Sequence, residues 1–207
     1  MTKTTTRLLA AAILCALPAT ANAAATLKIE NGKLTGASGV VVDGKTYDVT
    51  FADGKCATVY GKCDASNFTF TTRASATLAA QALLDQVFLD GSAGAFDSDP
   101  ALTAGCSFVS SCESYIAYAT GPIGTYETFE PVVALNTKDR LADEVVTYEM
   151  KAQKFFDTAP ASAANFALFT PTAAVPEPAT WALMLAGFGL TATALRRRRV
   201  RFAGAAA

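Results

Sequence analysis

Residues 40–51 read Val-Val-Val-Asp-Gly-Lys-Thr-Tyr-Asp-Val-Thr-Phe. A β-branched run meets Asp43-Gly44, a two-residue hairpin signal, and a second run alternates beyond it. Successive strand side chains point to opposite faces, so Tyr47, Val49 and Phe51 share one face and Asp48 and Thr50 the other. The first face is expected in a core and the second in water. Just upstream, residues 27–35 alternate around Asn31-Gly32, which repeats the device. Two consecutive hairpins predict an antiparallel sheet.

Working outward, Asp53-Gly54 is a further turn and residues 66–72 a short strand candidate. The period changes over 75–89. Leu78, Ala79, Ala82, Leu83, Gln86 and Val87 recur at three and four, as on a helix. Ser75 is placed to cap it and Gly91 to stop it, with Leu78, Leu83, Val87 and Phe88 laid on the sheet. Residues 91–105 read as loop, 115–118 and 125–135 as strands, and 137–143 as a charged turn. Residues 145–150 read as another strand, running on towards Phe156, and 165–169 as a final edge strand. The predicted class is α+β: an antiparallel sheet of short strands with one main helix, flanked by a signal peptide and a transmembrane helix.

The ends are of a different kind. Residues 1–23 carry Lys3 and Arg7, an apolar core from 8 to 17, and Ala21-Asn22-Ala23. A basic start, a short apolar run and a small-x-small site make a signal peptide. Cleavage is expected after Ala23, with Ala19-Thr20-Ala21 as the alternative. At the other end, residues 179–195 hold no charge. A helix over them would reach about 25 Å at 1.5 Å per residue, near the minimum for a hydrocarbon core. Trp181 falls where an indole prefers the headgroups, and Arg196, Arg197, Arg198 and Arg199 should remain cytoplasmic. Pro176 and Pro178 stiffen the approach around Glu177. The expected organisation is signal peptide 1–23, exported domain 24–170, linker and motif 171–178, transmembrane helix 179–195 and basic tail 196–207.

Val-Pro-Glu-Pro-Ala-Thr-Trp-Ala-Leu at 175–183, then the apolar run, then four arginines, resembles the PEP-CTERM sorting signal of exported Gram-negative proteins. The resemblance covers roughly residues 175–201. It implies recognition of Pro176, Glu177 and Pro178 by an exosortase, a membrane-embedded protease-transpeptidase, and an association with exopolysaccharide and biofilm systems. Signal peptidase and exosortase are then the expected processing partners. Surface or matrix is the expected destination, reached through the inner membrane and periplasm.

Removing Lys3, Arg7, Arg196 to Arg199, Arg201 and Glu177 from the 17 basic and 18 acidic residues leaves ten and seventeen, a formal −7 on the middle domain. Such a domain is poorly suited to nucleic acid. Its four cysteines allow three pairings. Export and the short separations favour Cys56–Cys63 and Cys106–Cys112. Zinc is disfavoured, because neither pair is Cys-x-x-Cys and the chain has no histidine.

The lack of histidine also excludes Ser-His-Asp and Cys-His catalysis. There is no Gly-Lys-Ser phosphate loop and no Gly-x-Gly-x-x-Gly. Asp97-Ser-Asp99 offers calcium oxygens without the spacing of a calcium loop and reads as a solvated turn. No cofactor, metal or catalytic residue is expected. The expected role is non-enzymatic, structural or binding, with Tyr115, Tyr118 and Tyr126 available to stack on sugars of an exopolysaccharide or to serve as ordinary strand residues. The alternative is an exported carboxylate-dependent hydrolase of glycans, which needs two carboxyls about 5–10 Å apart.

Overall fold

The computed structural model describes residues 24–138, 142–147, 151–172 and 183–188. The chain divides into two units, Asn22–Ala174 and the two ends Met1–Ala21 with Val175–Ala207. The larger unit is mostly β. Its strands are β1 (Thr26–Glu30), β2 (Lys33–Val42), β3 (Lys45–Ala52), β4 (Asp90–Gly91), β5 (Gly94–Ala95), β6 (Ser111–Ile123), β7 (Tyr126–Thr137), β8 (Glu144–Val146), β9 (Ala152–Gln153) and β10 (Ala164–Pro171). A short helix α1 (Cys56–Val59) and the main helix α2 (Arg73–Gln86) complete it.

Both turns read from the sequence are present. Asn31 and Gly32 take φ of 51° and 75°, and Asp43 and Gly44 take 48° and 71°. Positive φ at both central positions is the twist that antiparallel strands need, and Asn, Asp and Gly tolerate it. Tyr47, Val49 and Phe51 are buried and Thr50 is exposed. The arm that follows Asn31-Gly32 and the run 40–42 belong to one ten-residue strand, β2, whose pairing with β3 shifts register between Ala37 and Val40.

The main sheet runs β1-β2-β3-β10-β6-β7-β8, with β9 also paired to β7. Three expectations need correction here. The sheet is mixed, because β10 pairs antiparallel with β3 and parallel with β6. Its strands are not all short, since β6 and β7 hold 13 and 12 residues. Residues 165–169 form no edge: β10 lies in the middle of the sheet. The reason is visible in Asn-Phe-Ala-Leu-Phe, which scarcely alternates, as suits a strand covered on both faces. Phe166 faces one apolar cluster and Ala167 and Phe169 the other.

Those two clusters define the layers. On one face α2 packs on β2, β6, β7 and β8, which lie on both sides of the sheet's centre, so the sheet curls around the helix. The buried side chains of α2 are Ala76, Ala79, Ala80, Ala82, Leu83 and Leu84. Small residues let the helix sit close. Leu78, expected on the sheet, is 49 % exposed. The helix begins earlier than the sequence suggests, because Thr72 and not Ser75 is the cap: its Oγ1 accepts the Ser75 N–H at 3.2 Å. At the other end the Gln86 amide donates to Val41 O and accepts from Val41 N–H, at 2.8 and 2.9 Å. It stands in for a strand neighbour where β1 has ended.

The opposite face is covered by residues 53–68. Cys56, Cys63 and Phe68 pack there with Tyr115, Phe129 and Phe166. Residues 66–72 are not a strand. Asp64 caps a 3-10 turn at Ala65–Asn67, accepting from Ser66 N–H at 2.9 Å. Phe68 and Phe70 then enter opposite clusters, carrying the chain from one face of the sheet to the other. Residues 91–105 are less irregular than expected, since β4 and β5 form a small hairpin and Pro100–Leu102 a 3-10 turn. Of the strand expected at 145–150, β8 covers only Glu144–Val146, and residues 148–150 lie outside the described set.

Cys56 is bonded to Cys63 and Cys106 to Cys112, with Cα atoms 5.2 and 5.8 Å apart. The second bridge ties the loop before β6 to β6 itself. Asn165 on β10 reinforces it by donating to Ala104 O at 2.7 Å. The double variant Cys106→Ser/Cys112→Ser is expected to lose about 2–3 kcal/mol of stability from the freed loop. Denaturant unfolding of oxidised wild type and variant measures it.

Candidate functional site

Residues 183–188 are helical, and Leu183, Met184, Leu185 and Phe188 are each more than half exposed, at 72, 51, 70 and 68 %. Large side chains left in water forgo about 1.5–3 kcal/mol each relative to an apolar surround. Among the described residues no helix is long and apolar enough to cross a membrane. Most of the transmembrane stretch expected at 179–195 lies outside the described residues. So do the signal peptide with Ala21 and Ala23, Pro176 to Pro178, and Arg196 to Arg199.

Within the domain, the cysteines are locked in bridges and supply no free thiol. The tyrosines divide. Tyr115 and Tyr118 are buried, 6 and 7 % exposed, so of the two roles open to them they take that of ordinary strand residues and do not offer a face to sugars. Each occupies a core position and turns its hydroxyl to a carboxylate. Tyr115 donates to Glu113 Oε2 at 2.6 Å and Tyr118 to Glu130 Oε2 at 2.9 Å. Arg73 Nε donates to the Tyr118 oxygen at 3.0 Å, tying the start of α2 to β6 and β7. Burial chiefly raises the Tyr118 pKa, with Arg73 opposing and Glu130 adding to it. Tyr126, at the β6–β7 turn, is 56 % exposed. A fourth ring, missed in the sequence, is Tyr60. Its hydroxyl accepts the Ala117 N–H at 3.3 Å, and burial pushes its pKa up to about 12.

Among the described residues no group of three metal-ligating side chains converges. Asp97 and Asp99 flank a turn organised by Asp90. Its Oδ1 accepts from the N–H of Asp97 and of Ser98 at 3.0 Å, and its Oδ2 from Ser98 Oγ at 2.7 Å. These bonds lower the Asp90 pKa, the Ser98 bonds most. Asp97 lies near enough to Asp143 to raise its pKa. Asp143 Oδ1 accepts from Thr137 N–H at 2.7 Å.

Burial raises the Asp143 pKa most; Thr137 opposes this and Asp97 adds to it. Asp53 is raised too, chiefly by burial, against its bond to Thr158. A carboxyl whose folded pKa is raised binds its proton more tightly in the folded state. Its contribution to stability is full below the ordinary carboxylate range and is lost as pH climbs through the raised value. Asp143→Asn, which mimics the protonated form, is therefore expected to melt higher than wild type at pH 7. The difference should vanish below about pH 3.5. Thermal unfolding at the two pH values tests the sign.

Residues 174–199 match the family model of the PEP-CTERM protein-sorting motif. The match begins next to Val175 and ends on Arg199, so it spans the Pro-Glu-Pro, the apolar run and the arginine block, and leaves the described domain outside it. The motif supports an exosortase-targeted protein, and implies export with anchoring at the C-terminus. No curated protein and no solved structure matches the chain.

Proposed function

We propose that the chain is an exported precursor whose C-terminal signal delivers a disulfide-bonded domain to the cell surface or the exopolysaccharide matrix. The match over 174–199 carries this reading. Signal peptidase removes residues 1–23. The apolar run 179–195 then halts in the inner membrane of a Gram-negative cell, because four consecutive guanidinium groups behind it cannot follow the domain across. Exosortase acts at Pro176, Glu177 and Pro178. Two bridges suit the oxidising side of that membrane.

In this reading the delivered domain has a structural or binding role and is not an enzyme. On this reading Tyr115 and Tyr118 serve the core and the bonded cysteines serve the fold. The matrix as destination rests on the family association of the signal. Retention of the purified domain-bearing protein on exopolysaccharide from a producing strain tests that step, and no retention counts against a matrix ligand.

Topology is tested separately. Alkaline phosphatase fused after Ala207 is expected to be inactive, since it would stay in the cytoplasm, whereas fusion after Thr172 should be active. An active fusion after Ala207 would overturn the anchor.

A further inference from the structure

The direction of two strands places an apolar tip at the end of the sheet from which the chain leaves for the membrane. β10 runs parallel to β6, with Ala164, Asn165 and Phe166 beside Glu113, Ser114 and Tyr115. Both strands therefore point the same way. β10 finishes at Pro171, and Thr172 is pinned there by its N–H and hydroxyl, each donating to Thr46 O at 3.0 Å. β6 goes on to Ile123 before turning through Gly124 and Thr125 into β7. Counted from the Phe166–Tyr115 pair, β10 has five further residues to Pro171 and β6 has eight to Ile123, so β6 is the longer by three residues, or by two once the register shift between Ala117 and Ala119 is allowed for.

Six residues, 173–178, separate Thr172 from the apolar run. Fully extended they span at most about 20 Å. A tether of that length allows the end of the sheet from which the chain leaves to reach any membrane that takes up residues 179–195.

The tip suits that position. Residues 119–126, Ala-Thr-Gly-Pro-Ile-Gly-Thr-Tyr, carry no charge. Ile123 and Tyr126 are cross-strand partners, 46 and 56 % exposed. Phe155, 61 % exposed, follows Lys154, whose N–H donates to Glu127 O one residue from Tyr126. The first charge on β7, Glu127, is paired with Lys154 at 2.9 Å. An exposed tyrosine with aliphatic and aromatic neighbours prefers the boundary between headgroups and acyl chains.

We propose that in the uncleaved precursor the β6–β7 tip, through Ile123, Tyr126 and Phe155, contacts the lipid surface of the membrane that anchors the tail. The domain is then held at two points, by tether and tip. This rests on the anchored-precursor reading above.

The sheet provides an internal control. Phe108 and Val109, 45 and 56 % exposed, precede β6 at the opposite end. The length of β6 puts them about 40 Å away. Full-length protein is reconstituted in phosphatidylethanolamine–phosphatidylglycerol vesicles carrying a photoactivatable phospholipid, and labelled peptides are mapped by mass spectrometry. Labelling of the tail and of residues 119–127 and 155, but not of 108–109, is expected. Ile123→Ser/Tyr126→Ser should cut the tip labelling at least fivefold with tail labelling unchanged. Labelling of the tail alone, or of both sheet ends equally, overturns the tip contact and leaves the anchor standing. Labelling of neither tail nor tip overturns the anchor itself.

Discussion

Glu177→Ala is expected to leave the protein at full C-terminal length, while the wild type acquires a new C-terminus at the Pro-Glu-Pro. Glu177 is the single acidic residue of the stretch 175–207 and stands between Pro176 and Pro178 in the sequence. A carboxylate read by a membrane enzyme makes charge-assisted hydrogen bonds, each worth about 1.5–3 kcal/mol. Losing one slows processing by about ten- to more than a hundredfold. Intact mass of the protein from membrane and released fractions reads this directly. Glu177→Gln keeps the shape and should fail almost as badly, whereas Glu177→Asp should retain part of the rate. Equal processing of all three variants would remove Glu177 from the recognition step. A tail left uncleaved in the wild type as well would remove the sorting proposal.

Phe166→Ala is the substitution expected to damage the domain most. Phe166 is fully buried on the central strand β10, and its ring lies 5.8, 6.1 and 5.6 Å from those of Tyr60, Tyr115 and Phe129. It closes the face of the sheet that the Cys56–Cys63 segment covers. Truncation leaves a cavity that both the sheet and a disulfide-bonded loop resist collapsing. A loss of about 3–5 kcal/mol is expected. A domain of this size is stable by about 5–15 kcal/mol, so the variant should unfold at markedly lower denaturant with an unchanged slope. Leu78→Ala, on the exposed side of α2, is the control and should stay within about 0.5 kcal/mol. Comparable losses in the two variants would mean that β10 is not the centre of this core.

The contrast between those residues shows where sequence reading succeeds. Asn31-Gly32 and Asp43-Gly44 announce their hairpins because the left-handed backbone is a local demand that only a few residues meet without cost. Tyr47, Val49 and Phe51 follow, since alternation is a property of the strand alone. The short cysteine separations foreshadow the pairing because six or seven residues leave little freedom in closing a loop. By contrast, Leu78 falls on the helical repeat with Ala82 but faces water. Helical spacing predicts that one face is buried; it does not say how wide that face is. The small residues of α2 bring it so close to the sheet that alanines carry the contact.

Residues 165–169 teach the same lesson from the other side. Their place between β3 and β6 arises from partners more than fifty residues apart in the chain, which no local pattern encodes. Tyr115 and Tyr118 look available in the sequence because tyrosine is at home both in a core and on a surface. Burial was settled by what lies over each: Phe156 and Phe166 beside Tyr115, and Arg73 from α2 against Tyr118.

By itself the sequence determined the hairpin turns, the presence of one main helix and the sorting signal, because each is written in contiguous residues whose physics is local. The strand order, the parallel β10–β6 pair, the identity of the buried tyrosines and the end of the sheet from which the chain departs were decided only by the tertiary structure. They depend on which distant segments pay least entropy and bury most apolar surface when they meet, and that balance is struck by the whole fold.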